Sequence, residues 1–214
     1  MSNLKSVTIA GVLLALFAVA GTGLVSFTHL QTKDRIAENE RRALLSKLEA
    51  LVPRESIDND MIADNIVVHR GDLLGSDTTN IYRGRLKGKP VAAVFTSVVP
   101  DGYSGPIKLL VAVKYDGTLA GVRVVAHKET PGLGDKMEEE KSDWIFSFDG
   151  KSLGNPVEKQ WKVKRDGGIF DQFTGATITP RAIVKAVKKT LTYAREQGDR
   201  IYKPVKPVQP EEKP

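Results

Sequence analysis

Between Lys5 and Lys33 the chain carries no Asp, Glu, Lys or Arg, and residues 7–28 are almost continuously apolar. A helix of that length rises about 30 Å, enough to cross the hydrocarbon core of a bilayer. The sequence therefore predicts a transmembrane anchor over residues 7–28 after a short segment, 1–6. A cleavable signal peptide competes for the same stretch, because Ala18-Val19-Ala20 satisfies the small-x-small cleavage pattern. The apolar run continues through Leu24, Val25 and Phe27, where a signal peptide turns polar, so we expect the anchor to be retained. Orientation is not fixed by charge. Lys5 precedes the span, while Lys33, Arg35, Arg41 and Arg42 follow it among acids, and such counts lose force when a whole domain follows.

Residues 33–52 read as a second helix. Ile36, Leu44, Leu48 and Leu51 share a face, and Pro53 stops the pattern. It can serve as a stalk or pack on its own domain, and periodicity does not choose between them. From Asn65 onward the signal changes. Ile66-Val67-Val68, Ile81-Tyr82 and residues 91–99 are rich in β-branched side chains between turn formers. Residues 107–115 and 119–126 flank Asp116-Gly117, for which we expect a tight primed hairpin turn. A short strand is predicted over residues 161–164, and a solvent-facing turn or short helix over 135–142. Trp144, Phe146 and Phe148 fit either a core or a stacking surface. The last helix is predicted from Pro180 to about Glu196, with Thr179 as its N-cap and Gly198 past its end. The whole is an α+β fold: one domain over residues 55–200 with a mainly antiparallel sheet and a closing helix, on an N-terminal transmembrane helix. The Pro-rich tail, residues 203–214, is predicted to be disordered.

Composition removes several chemistries. There is no cysteine, which excludes thiolate-held iron–sulfur clusters, haem attached through a Cys-x-x-Cys-His sequence, disulfides and cysteine nucleophiles. His29, His69 and His127 are the only histidines, too scattered to suggest a metal centre, so no metal site is expected. A net charge of +6 from 32 basic and 26 acidic residues comes without an aromatic-interleaved basic stripe, and no nucleic-acid partner is expected. No Gly-x-Gly-x-x-Gly follows a strand, so a dinucleotide-binding fold is not expected either.

One segment remains, Phe173-Thr174-Gly175-Ala176-Thr177-Ile178-Thr179-Pro180. It offers a Gly-Ala turn and several hydroxyls in front of a helix N-terminus, whose free N–H groups suit a phosphate. The same residues could simply cap a helix. Thr174-Gly175-Ala176-Thr177, preceded by Asp171, resembles the [Ser/Thr]-Gly-Ala-[Ser/Thr] motif of the FMN-binding domain family. His127-Lys128-Glu129-Thr130-Pro131-Gly132-Leu133-Gly134 is similar to that family's His-x-Glu-Thr-Pro-Gly-Leu-Gly loop. Gly102-Tyr103-Ser104-Gly105-Pro106-Ile107 resembles its Gly-Tyr-x-Gly-x-Ile segment. With the anchor and the chain length, the pattern is nearest to flavoproteins of Rnf-type ion-translocating electron-transport complexes.

The resemblance implies FMN carried as a phosphoester on Thr177, with Thr174, Gly175 and Ala176 around it. It implies a flavin-lining loop from Glu129, Thr130, Gly132 and Leu133, and a contribution from Gly102 and Tyr103. It implies a redox subunit, not catalytic alone, that relays electrons between ferredoxin and NAD within an ion-translocating translocase. The partners are then other membrane and redox subunits, and a flavin transferase using FAD and a divalent metal. The location implied is a single-pass protein of a bacterial inner membrane with its domain in the periplasm. Two alternatives stand beside it: the flavoprotein subunit of a sodium-pumping NADH:quinone reductase, for which this chain is short, and an anchored binding or assembly module without flavin. The anchor itself is directly testable. After a high-salt wash the protein should stay with the membranes, and Edman or mass analysis should place the mature N-terminus at or near Met1. An N-terminus just after Ala20 would mean a cleaved signal peptide.

Overall fold

A computed structural model describes residues 2–203, with side chains from Lys5 onward. The tail from residue 204, and with it nearly all of the segment predicted to be disordered, lies outside the described residues. The chain divides into two compact units, Met1–Ser46 and Lys47–Pro214. The first is helical: α1 runs Ser2–Leu51 without a break, so the predicted anchor and the predicted second helix share one helix. Residues 5–31 are exposed all round, and the helix is long and apolar enough to cross a membrane. Within it the Thr28 and Thr32 hydroxyls donate back to the carbonyls of Leu24 and Thr28, at 2.9 and 2.8 Å. That arrangement suits hydroxyls in an apolar solvent, where each polar group must find an internal partner.

The second unit is built on a five-stranded antiparallel meander in the order β1-β2-β3-β4-β5. The strands are β1 (Asn65–Val68), β2 (Thr79–Leu86), β3 (Lys89–Val99), β4 (Ile107–Lys114) and β5 (Leu119–Ala126). A one-turn helix α2 (Gly71–Leu74) links β1 to β2, and α3 (Ile178–Gln197) closes the domain. The expected α+β architecture is the one observed. Alternation along β3 and β4 sends Phe95, Val99, Leu109 and Val111 to one face, where they join Ile183, Val187 and Leu191 of α3. The opposite face is also covered. Val94, Leu110 and Ala112 are buried, and a side chain on Gly121 or Gly84 would press on Leu51 or Ile57, at 2.9 and 3.0 Å. The central strands therefore bury both faces and read as apolar runs, not as alternation.

Two turns differ from expectation. The primed turn joins β2 to β3, where Lys87 and Gly88 both have positive φ, 52° and 74°. At Asp116-Gly117 only Gly117 is left-handed (φ 85°), and Gly117 N–H donates to Lys114 O at 2.9 Å. That is a type I turn followed by a left-handed glycine, a longer hairpin connection that the same dipeptide also serves. The predicted strand at 161–164 is a single bridge, Val163 to Phe170, followed by a 3-10 turn, Lys164–Asp166. Residues 135–142 are not simply solvent-facing, since Asp135 and Met137 are buried. Met137 fills the core from the middle of a charged run.

The C-terminal end is tied to the sheet by charge. Arg83 and Arg85 of β2 both pair with Asp64, the latter at 2.7 Å. Arg83 Nη1 and Arg85 Nη2 also donate to the carbonyls of Lys203 and Tyr202, at 2.9 and 2.7 Å. Asn59 bridges the bulge between Gly84 and Arg85, accepting from Arg85 N–H and donating to Arg83 O. Arg83 is 7% exposed, so loss of its counter-ion leaves a buried charge, a change that costs about 3–5 kcal/mol when burial is complete. We predict that Asp64→Ala destabilises the domain by about 3 kcal/mol, read from urea unfolding followed through Trp144 and Trp161 fluorescence. Asp58→Ala, which removes an exposed carboxylate that accepts from Lys87 N–H at 2.7 Å, should change stability far less.

Candidate functional site

An antiparallel meander puts the ends of β3 and β5 and the start of β4 at the same end of the sheet. The three motif segments consequently meet there. The first, 102–105, lies in the β3–β4 connection. The second, 127–134, leaves β5. The third, 174–177, leads into α3.

They are joined by one carboxylate. Glu129 is 4% exposed and both its oxygens are engaged. Oε1 accepts from Ser104 N–H at 2.8 Å, and Oε2 accepts from the Thr179 hydroxyl. Its own N–H donates to Nδ1 of His127 at 3.0 Å, which fixes the ring proton on Nε2, facing the Glu138 carboxylate. A buried carboxylate must be hydrogen-bonded to be tolerated, and here the bonds come from two other segments. Glycines let those segments close in. A side chain on Gly134 would lie 2.8 Å from Glu129 Cβ, and one on Gly102 would lie 2.3 Å from Gly105 O and 3.1 Å from Glu129 Oε1.

Two tight turns set the loop shapes. Leu133 N–H donates to Thr130 O at 3.2 Å across Pro131-Gly132, with Gly132 at φ 78°; proline then glycine is the sequence of a type II turn. A side chain at Gly132 would meet nothing within 4 Å, so its requirement is for backbone freedom, and close approach belongs to Gly134. Ala176 N–H donates to Phe173 O at 3.3 Å around Thr174-Gly175, with Gly175 at φ 86°. Leu133 lies over that glycine, 3.0 Å from the position its Cβ would take.

Thr177, and not Thr179, occupies the N-cap of α3, and its side chain makes no capping bond. The helix begins two residues earlier than the sequence predicts, which leaves Thr179 inside the first turn, fully buried against Glu129. Below the turn, Phe173 packs edge-on against Trp144, centroids 4.9 Å apart, and Trp144 Nε1 donates to Asp171 O at 2.7 Å. Phe148 stacks on Phe170 at 4.6 Å. Trp144 and Phe148 are thus core, and they hold the approach to the turn in place. From the other side, Arg181 in the first turn of α3 grips Asp166 through two bonds of 2.6 and 2.7 Å, and holds its carboxyl below the usual range.

Of the residues singled out in the sequence, Thr174, Gly175, Ala176 and Thr177 form the exposed or half-buried turn, and Thr130, Gly132 and Leu133 belong to the loop beside it, with Gly132 and Leu133 exposed. Tyr103 is exposed on the first segment, while Gly102 and Glu129 lie beneath. Ser104, Gly134, His127 and Thr179 complete the arrangement. No spacing rule singles out Thr179, because its partner is 50 residues away. The surface suits a flavin phosphate: a free hydroxyl stands at a helix N-terminus, with the exposed apolar side chains of Tyr103, Leu133 and Ile178 on the joined segments. Among the described residues no cluster could hold a metal ion.

Comparison with known proteins agrees with this geometry. A family model described as the FMN-binding domain matches residues 102–192, which hold all three segments. A second, described as the RnfG N-terminal region, matches residues 1–51. The G subunit of the ion-translocating oxidoreductase complex of Pseudomonas aeruginosa is 50% identical over 90% of this chain and 90% of its own length. The proteins of that name from Shewanella baltica and Vibrio atlanticus are 48% and 45% identical, over 90% and 89% of this chain and 91% of each relative. The chain belongs to the family of G subunits of ion-translocating oxidoreductase complexes, with an FMN-binding domain following its N-terminal helix.

Proposed function

We propose that this chain holds FMN as a phosphoester on Thr177 and relays electrons as a membrane-anchored subunit of an ion-translocating ferredoxin/NAD electron-transport complex. One observation carries the attachment site: Thr177 stands at the N-cap of α3 with its hydroxyl free of any capping role, whereas Thr179 is buried and bonded. A phosphate there lies in the field of the helix N-terminus, which favours negative charge. When bound, FMN supplies one- and two-electron chemistry that no side chain of this cysteine-free chain can provide. The residues of the chain position it. The clamp at Glu129 sets the loop against the turn, and exposed apolar surface comes from Ile178, next to Thr177 in the chain, from Leu133 over Gly175, and from Tyr103 on a joined segment. The buried carboxylate bonded to the first turn of α3, Glu129, has both oxygens committed, so it is not free to act as a base on Thr177. This supports loading by a dedicated flavin transferase.

Other subunits of such a complex are the electron partners. The helix α1 is the one described helix fit to cross a membrane and carries no charge inside its apolar run, so it offers no ion path of the kind transporters build. The same family reading has the domain on the periplasmic side. Relatives matched over nine-tenths of both lengths favour this complex over the sodium-pumping quinone reductase.

Two sets of variants test the proposal. Co-expressed with a flavin transferase, the parent should show flavin that survives denaturation, and peptide mass spectrometry should place one FMN phosphate on Thr177. Thr177→Ala should abolish attachment, while Thr174→Ala should retain it; FMN on Thr174 or Thr179 would overturn the assignment. The clamp gives a graded outcome. Thr179→Val leaves one oxygen of a buried carboxylate without its donor, at a cost of about 1–3 kcal/mol. It should lower the thermal midpoint and the yield of attached flavin, and Glu129→Ala should lower both further.

A further inference from the structure

At the end of α3 remote from Thr177, the domain contains a cleft of about 580 Å³. The twenty residues of α3 separate the two places by about 30 Å along the helix. The floor of the cleft is core: Ala93, Phe95, Val113 and Leu191 line it, and each is less than 5% exposed to solvent. At this size the cleft, open to solvent, falls in the range of small-molecule sites.

The rim has a definite charge pattern. Its two acids are already engaged: Asp199 accepts from the Tyr115 hydroxyl at 2.7 Å, and Asp116 accepts from the Thr118 hydroxyl and N–H at 2.7 and 2.9 Å. Two cations share the rim. Lys114 is near enough to Asp116 to help hold that carboxyl low, behind the Thr118 bonds. Arg195 makes no ion pair among the described residues. An apolar floor beneath a rim whose acids are satisfied and whose arginine is not fits a ligand with an apolar body and an anionic head.

We propose that this cleft binds a long-chain carboxylate, with the hydrocarbon chain over Phe95, Val113 and Leu191 and the carboxylate at Arg195 and Lys114. A single chain suits the volume, and a two-chain phospholipid exceeds it. The proposal does not depend on flavin attachment.

Trp161 provides the readout, because its Nε1 donates at 3.1 Å to the carbonyl of Ser152, a residue of the cleft wall. The full chain in phosphatidylcholine nanodiscs would be titrated with dibromostearate, whose bromines quench tryptophan at short range. Saturable quenching is expected in the parent and should be greatly reduced in Trp161→Phe. Ala194→Phe, which fills the cleft from α3, should lose the saturable phase while its thermal midpoint without ligand stays at or above the parent's. Arg195→Ala should raise the half-saturation concentration at least fivefold. Absence of saturable quenching in the parent, or parent-like quenching in a folded Ala194→Phe, would overturn the proposal. So would quenching by brominated phosphatidylglycerol but not by dibromostearate, which would mark a phospholipid site. A chain ending at Lys203 that binds the probe when the full chain does not would assign the cleft to residues 204–214 and equally overturn it.

Discussion

A single buried carboxylate holds together the three segments that meet at one end of the sheet. Glu129 reaches across from the loop after β5 to a backbone N–H before β4 and to a hydroxyl inside the first turn of α3. Each partner lies on a different segment, so none of the three can take up its shape independently of the others. Burying a carboxylate is costly unless its lone pairs are filled, and that cost turns the contact into a constraint on geometry. The glycines at 102 and 134 belong to the same constraint, because backbone must come within contact of the carboxylate for its bonds to close.

The sheet makes this meeting possible. In a five-strand meander every second connection returns to the same end, so segments separated by 25 to 50 residues become neighbours without a crossover. Both faces of the central strands are covered, one by α3 and the aromatic cluster, the other by residues 48–61. The result is a rigid support for loops, the usual division of labour between scaffold and site. Charge closes the opposite margin, where Asp64 neutralises two arginines that in turn hold the carbonyls of the chain's last described residues.

Much of this was legible in the sequence, for identifiable reasons. The apolar run, the β-branched strands and the amphipathic last helix are dense local signals, and all of these elements are present. The turn at Thr174-Gly175 was readable because glycine is placed where positive φ is required. What escaped was decided by long-range partners. Thr179 looked like a helix cap because Pro180 follows it; its bond to Glu129 draws it into the helix instead and leaves the cap position to Thr177. Met137 hid in a charged run because burial there is set by tertiary packing, not by period. Lys87-Gly88 carried no usual primed-turn signature, yet the strands on either side impose one.

The unused hydroxyl at the head of α3 bears on the order of events in the protein's making. A threonine that served as a cap would tie chemical change at that oxygen to the integrity of the helix. Thr177 has no such duty, and Glu129, Thr179 and the aromatic floor hold the turn without it. Under the proposed attachment, the domain can therefore be complete before FMN is joined to Thr177, and a flavin transferase would meet a finished surface, not a nascent chain. Loading would then leave the fold as it stands, because the oxygen that changes carries none of the bonds that hold the turn.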